Sequence, residues 1–170
     1  PLQPLHLIER GKLLEVRGFS AASNLPEHII ERQHDRAVQR LRARHIKAEI
    51  EQVSPPSIGP GTALFLLCVC GQVTAGFTGF GRLRYRAEKV ADDAAQACEA
   101  YLGGCEAADP HLADQILLPL SLVPAESVYT TTEVTRHLST NAWVIQRLLG
   151  RQVLIEGAEG QPGTVYVGRP

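Results

Sequence analysis

Residues Thr62 to Cys70 read TALFLLCVC, the longest apolar run in the chain. A helix that crosses a bilayer needs about 20 apolar residues, so this run is too short to span a membrane. A short run that is apolar on both faces suits a central strand of a sheet. The stretch Gln72 to Thr78 predicts a second strand, joined to the first at Gly71. The rest of the chain must therefore supply more strands and the helices that cover them.

Leu5–Arg10 and Leu13–Ala22 read as strands interrupted near Gly11. Asn24-Leu25-Pro26-Glu27 has the order of a helix start: a capping Asn, a Pro near the first turn, then an acid. That helix is expected to run to about His45. Ile46 to Val53 alternates apolar Ile46, Ala48 and Ile50 with charged Lys47, Glu49 and Glu51, the pattern of a half-buried strand. Ser54–Gly61 is a loop by composition. An Ala-rich helix is expected from Arg86 to Leu102, stopped by Gly103-Gly104.

Beyond that point Asp109-Pro110 opens a helix that Pro124 ends. Val128–Val134 reads as a Thr-rich strand, and a further helix is expected from near Ser139 to Leu149. Val153–Glu156 and Thr164–Val167 read as strands around a Gly-rich turn. Strands and helices mix without strict β-α-β alternation, so the expected class is α+β. Apolar residues make up 44% of the chain, enough for a core. Seventeen Lys and Arg against 18 Asp and Glu leave a net charge of −1, so a case for nucleic acid must rest on local patches. The chain starts Pro-Leu-Gln-Pro and contains no Met, so the expectation is a processed chain or a piece of a longer one.

Five local patterns could carry chemistry. Arg32, Arg36, Arg40 and Arg44 recur every four residues along one helix face, with Arg82, Arg84 and Arg86 as a second cluster. They read either as phosphate contacts or as a solvated face with ion pairs inside the helix, such as Glu31 with Arg36; the second is favoured. Gly59-Pro60-Gly61-Thr62 lacks the Lys of a phosphate-binding loop and precedes a strand, so it reads as a turn. Cys68 and Cys70 share a strand face without metal-ligand spacing and read as small buried side chains. His111-Leu112-Ala113-Asp114-Gln115 places a carboxylate and an amide near a helix start, either as a polar pair in a ligand pocket or as helix-terminus chemistry. Thr135-Arg136-His137-Leu138-Ser139-Thr140-Asn141 puts a His beside helix N-terminal N–H groups, which favour anions and a neutral, nucleophilic imidazole.

Taken in order, RAEKVADDAA, HLADQILLPLSL and VTRHLSTNAWVIQRLL resemble the C-terminal half of RNA 3′-terminal phosphate cyclases. PLHLIERG (Pro4–Gly11) and LPEHIIERQ (Leu25–Gln33) are similar to that family as well. The resemblance covers essentially the whole chain, with the segment from Gln33 to Arg84 the loosest. His111 stands where relatives often have Tyr, and FGRLRYRAEKV lacks the Gly-Glu-Arg-Gly that many relatives carry there.

The resemblance implies an ATP-dependent ligase in which His137 attacks the α-phosphate of ATP. AMP then passes to an RNA 3′-phosphate, and the neighbouring 2′-hydroxyl closes a 2′,3′-cyclic phosphate. It implies ATP contacts at His111, Leu112, Ala113, Asp114 and Gln115, and a divalent metal, Mg2+ or Mn2+, held by an acid of the N-terminal half rather than by this chain. The implied partners are RNA ending in a 3′-phosphate, ATP and that N-terminal half, with no membrane and a cytoplasmic location. The implied architecture is a small α+β insert over residues 6–102, and a core of two helices on a four-stranded sheet, repeated, to which residues 103–170 and the end of a preceding segment, 1–5, belong. Two other readings differ in class: a non-catalytic cyclase-like ribosome-assembly protein, which typically lacks the His retained here as His137, and an RNA-binding α+β module using the Arg32–Arg44 stripe.

Overall fold

The computed structural model describes residues 2–168. Pro1, Arg169 and Pro170, which the expected core segments include, lie outside the described residues. The fold is α+β, with four helices and two four-stranded mixed sheets among the described residues. The chain divides into two compact units. One is Lys12–Gly103. The other joins the residues up to Gly11 to those from Gly104 onward, and is called here the terminal unit.

The division falls later than the boundary expected at about His6. The reason is β1 (His6–Leu7), much shorter than the strand expected over Leu5–Arg10. It pairs in parallel with β6 (Ser127–Thr131), His6 opposite Val128 and Leu7 opposite Tyr129, and so belongs to the terminal unit. Arg10 holds the chain on that side: its N–H donates to the Cys105 carbonyl at 3.0 Å and its Nη2 to the Gly104 carbonyl at 2.7 Å. Gly11 then turns the backbone with φ 76°, a value that favours glycine.

In the 12–103 unit, β2 (Leu13–Ser23), α1 (His28–Ala43) and β3 (Ala48–Val53) form a parallel crossover. β4 (Gly61–Cys70) and β5 (Thr74–Phe80) follow as an antiparallel pair, then α2 (Ala87–Leu102). The sheet order is β3-β2-β4-β5, so the long apolar run is a central strand, as its composition requires. One face of β4 presents Leu64, Leu66, Cys68 and Cys70 to Ala37, Leu41, Val90, Ala91 and Ala94 of the two helices. The other face, with Phe65, Leu67 and Val69, is only half-buried, and the Phe65 ring leans on Phe19 at 5.4 Å. The cysteines behave as small core side chains: Cys68, Cys70 and Cys98 are buried, with Cys68 Sγ 3.2 Å from Cys98 Sγ.

The helix start differs from the expectation. Asn24 does not cap α1; it sits in a left-handed turn with φ 53° and donates through its amide to the Ser57 carbonyl at 2.9 Å. Glu27 takes the cap position without a side-chain hydrogen bond. Asn adopts left-handed geometry more readily than most residues, so the same residue type serves a turn instead of a cap. Further along α1, Gln33 is fully buried and satisfied: its amide donates to Ser20 Oγ at 3.1 Å, and its carbonyl oxygen lies 2.6 Å from Thr62 Oγ1.

The terminal unit contains α3 (Pro110–Ser121), β6, α4 (Arg136–Leu149), β7 (Val153–Glu156) and β8 (Gly163–Val167), with sheet order β1-β6-β8-β7. Leu117, Tyr129, Leu138, Ile145, Val165 and Val167 form its core. The strand expected over Val128–Val134 is β6, which stops at Thr131. α4 then begins before the expected Ser139, because Thr135 caps it by accepting the Leu138 N–H at 3.1 Å. Gly150, with φ 64°, ends it. No described helix is long and apolar enough to cross a membrane.

Candidate functional site

The HLADQ and TRHLSTN segments occupy the opening turns of α3 and α4. Asp109 fixes the start of α3 by accepting the N–H groups of His111 at 2.9 Å and Leu112 at 3.1 Å, with Pro110 preset for the first helical position. Ala113 faces inward, and the buried Tyr129 donates its hydroxyl to the Ala113 carbonyl at 2.7 Å. Asp114 is half-buried, while His111 and Gln115 are exposed and Leu112 is half-buried. Burial first, then the negative charge of Asp114, push the Tyr129 phenol well above its ordinary range, so it remains a hydrogen-bond donor.

His137 is the second residue of α4 and is exposed. Helical periodicity puts His137 and Asn141 on one face, and the Asn141 amide donates to the Asp114 carboxylate. This hydrogen bond brings the two segments together. The amide that Asp114 pairs with is thus Asn141 of α4, not the neighbouring Gln115. The four-residue spacing from His137 to Asn141 was the available signal; nothing local pointed to Asp114 as its partner. Tyr129, the buttress beneath Ala113, carried no signal beyond its place in a strand.

The arrangement offers an exposed imidazole in the first turn of a helix, where backbone N–H groups favour anions. One turn further along α4 stands Asn141, hydrogen-bonded to the Asp114 carboxylate. Arg136, next to His137 in the chain, is engaged by Glu159 at 2.7 Å. Among the described residues there is no group of three or more His, Cys, Asp or Glu that could hold a metal ion.

The arginine stripe of α1 has a different role. Arg32 pairs with Glu88 through two hydrogen bonds of 2.9 Å, Arg36 with Asp92 at 2.8 Å, and Arg40 with Glu99 at 2.7 Å and Asp92 at 3.2 Å. Arg44 reaches Glu99 at 3.8 Å. The partners ascend together, so α1 and α2 run parallel, with a ladder of ions between them. The carboxylates come from α2, not from Glu31 within α1 as expected, because packing of the two helices brings their flanks together. Gly59-Pro60 is a turn leading into β4, as its composition indicates.

Residues 8–102 match the family model described as RNA 3'-terminal phosphate cyclase (RTC), insert domain. Three curated relatives, each named RNA 3'-terminal phosphate cyclase, illustrate the wider similarity. That of Nostoc punctiforme is 41% identical over 155 residues, covering 91% of this chain and 44% of the relative. That of Methylococcus capsulatus is 40% identical over 166 residues, covering 98% and 46%. That of Methanopyrus kandleri is 38% identical over 173 residues, covering 98% and 49%. The chain thus spans less than half the length of each of these relatives. On the match over residues 8–102 and these relatives, the chain belongs to the RNA 3′-terminal phosphate cyclase family.

Proposed function

We propose that the chain carries the nucleophile of an ATP-dependent RNA 3′-terminal phosphate cyclase, acting together with the further residues that relatives of full length possess. The observation that carries this reading is the Asn141–Asp114 hydrogen bond, which joins the opening turn of α4, where His137 is exposed, to the HLADQ segment. The imidazole lone pair of His137 attacks the α-phosphate of ATP; a P–N bond forms and pyrophosphate leaves. The RNA 3′-phosphate then takes the AMP group as the P–N bond breaks. Attack by the adjacent 2′-hydroxyl closes the 2′,3′-cyclic phosphate and expels AMP.

In this reading His111 to Gln115 hold the nucleotide, Asp114 being kept in place by Asn141. Preset polar groups of this kind stabilise a transition state without reorganising. Neutralising the polyphosphate would call for a divalent cation, Mg2+ or Mn2+, with ligands supplied by the further residues of a full-length relative. Cysteines packed as small core side chains suit a reducing compartment such as the cytoplasm.

The test is covalent labelling with ATP carrying a labelled α-phosphate, on a protein extended to the length of the relatives. Label should appear on His137, and His137→Ala should abolish it while the 170-residue chain alone shows no cyclase turnover. Label that persists in His137→Ala would overturn the assignment.

A further inference from the structure

We infer that a groove in the 12–103 unit, where α1 and α2 begin, binds single-stranded RNA along its phosphate backbone. The groove encloses about 660 Å³. Arg32, Arg82, Arg84, Arg86 and His28 line it, and no Asp or Glu does. For a chain with a net charge of −1 this is a strong local concentration of cations. Arg32 and Arg86 share Glu88, at 2.9 and 3.5 Å, on the flank of the groove. Arg82 and Arg84 have no carboxylate within ion-pair reach among the described residues, so two guanidinium charges stand uncompensated.

The groove also offers planar and apolar surfaces. The Arg82 guanidinium lies 4.2 Å from the centre of the Tyr85 ring, and the Tyr85 hydroxyl is anchored on Asp93 at 2.8 Å. Ile29, Pro60 and Ala87 add apolar walls. A small anion needs charge alone, and an acidic peptide carries a stacking ring only where its sequence holds an aromatic residue, whereas every nucleotide carries one. A single nucleic-acid strand has regularly spaced phosphates for the guanidinium forks and bases for the aromatic and guanidinium planes. The choice of RNA over DNA rests on the function proposed above; the groove chemistry does not.

The 170-residue chain can be tested directly, without ATP, by fluorescence anisotropy with an oligouridine of about 12 nucleotides ending in a 3′-hydroxyl. Arg82→Ala/Arg84→Ala should weaken binding about tenfold and flatten the log–log salt slope by about 1.4, from two lost phosphate contacts. Arg84→Glu, a single exposed change, should weaken it as well. Tyr85→Ala should weaken it several-fold, with Tyr85→Phe close to the unaltered chain. Unchanged affinity in the double variant and in Arg84→Glu would overturn the proposal, as would equal competition by an acidic peptide of matched charge. His137→Ala should bind the oligonucleotide normally, so failure of adenylylation and failure of the groove are separate outcomes.

Discussion

The Asn141 amide donates a hydrogen bond to the Asp114 carboxylate, joining the opening turns of α4 and α3. Both residues lie at the rim of the terminal unit, Asp114 half-buried and Asn141 exposed. Beneath them, the Tyr129 hydroxyl grips the backbone of Ala113. The carboxylate is therefore held from the side by one helix and its own helix is held from below by the sheet. A side chain fixed in this way loses little further freedom when a ligand arrives.

Asn141→Ala removes the donor and should cost about 1 kcal/mol of stability. Asn141→Asp should cost more, because it sets one carboxylate against another. The fluorescence of Trp143, the sole Trp of the chain and part of α4, reads this unit in urea titrations. If the Asp variant proved as stable as the Ala variant, the contact would not exist in solution.

Tyr129 makes the terminal unit sensitive to alkali. Its phenol is held above the ordinary value of 10.0, by burial first and by Asp114 second. Above about that value the unfolded chain releases the proton and the folded one keeps it, so the unfolded state binds fewer protons and stability falls as pH rises. Tyr129→Phe should be about 1 kcal/mol less stable near neutrality, having lost the bond to the Ala113 carbonyl. The difference should shrink as pH rises beyond the ordinary tyrosine value. Parallel curves for the two proteins would show that the phenol is not protected.

The ladder between α1 and α2 should stabilise the 12–103 unit unevenly. Arg40 bridges two carboxylates that are largely buried, Glu99 and Asp92, with 13% and 14% of their side chains exposed. Arg40→Met should cost about 2 kcal/mol, and Arg44→Met less than about 0.5 kcal/mol. The hydrogen bond from Arg40 holds Glu99 below its ordinary value of 4.5, against burial and with help from the charges of Arg40 and Arg44. That contribution is complete above the ordinary value and is lost as pH falls through the lower, folded one. The protection of α1 and α2 amides, referred to the intrinsic exchange rate at each pH, should therefore fall in acid, and less so in Glu99→Gln, whose side chain does not titrate.

Gly79→Ala tests how closely β5 and α2 approach. A Cβ there would lie 2.0 Å from the Val90 carbonyl oxygen, a backbone atom that cannot swing aside. The helix would have to lift off the sheet, so a loss of about 2 kcal/mol or more is expected. Thermal denaturation by circular dichroism measures it. A fully stable variant would mean that α2 sits further from β5 than described.

Much of the fold could be read locally. The run from Thr62 to Cys70 identified a central strand, and the alternation from Ile46 to Val53 a half-buried one, because side-chain direction follows directly from backbone period. The Ala-rich stretch ended where Gly103 follows it. Less legible were the places where one residue type serves two local structures. Asn24 could cap a helix or turn the chain, and only the position of Ser57, distant in sequence, settles which.

What the sequence by itself determined, then, is the order of elements, the faces they bury, and the two segments whose succession marks the family. Tertiary structure alone decided which carboxylates neutralise Arg32, Arg36 and Arg40, which sheet receives His6–Leu7, and which amide meets Asp114. The physical reason is range. Periodicity acts within one element and is written in neighbouring residues. A salt bridge between α1 and α2, or a hydrogen bond between α3 and α4, depends on the packing that sets two distant elements side by side.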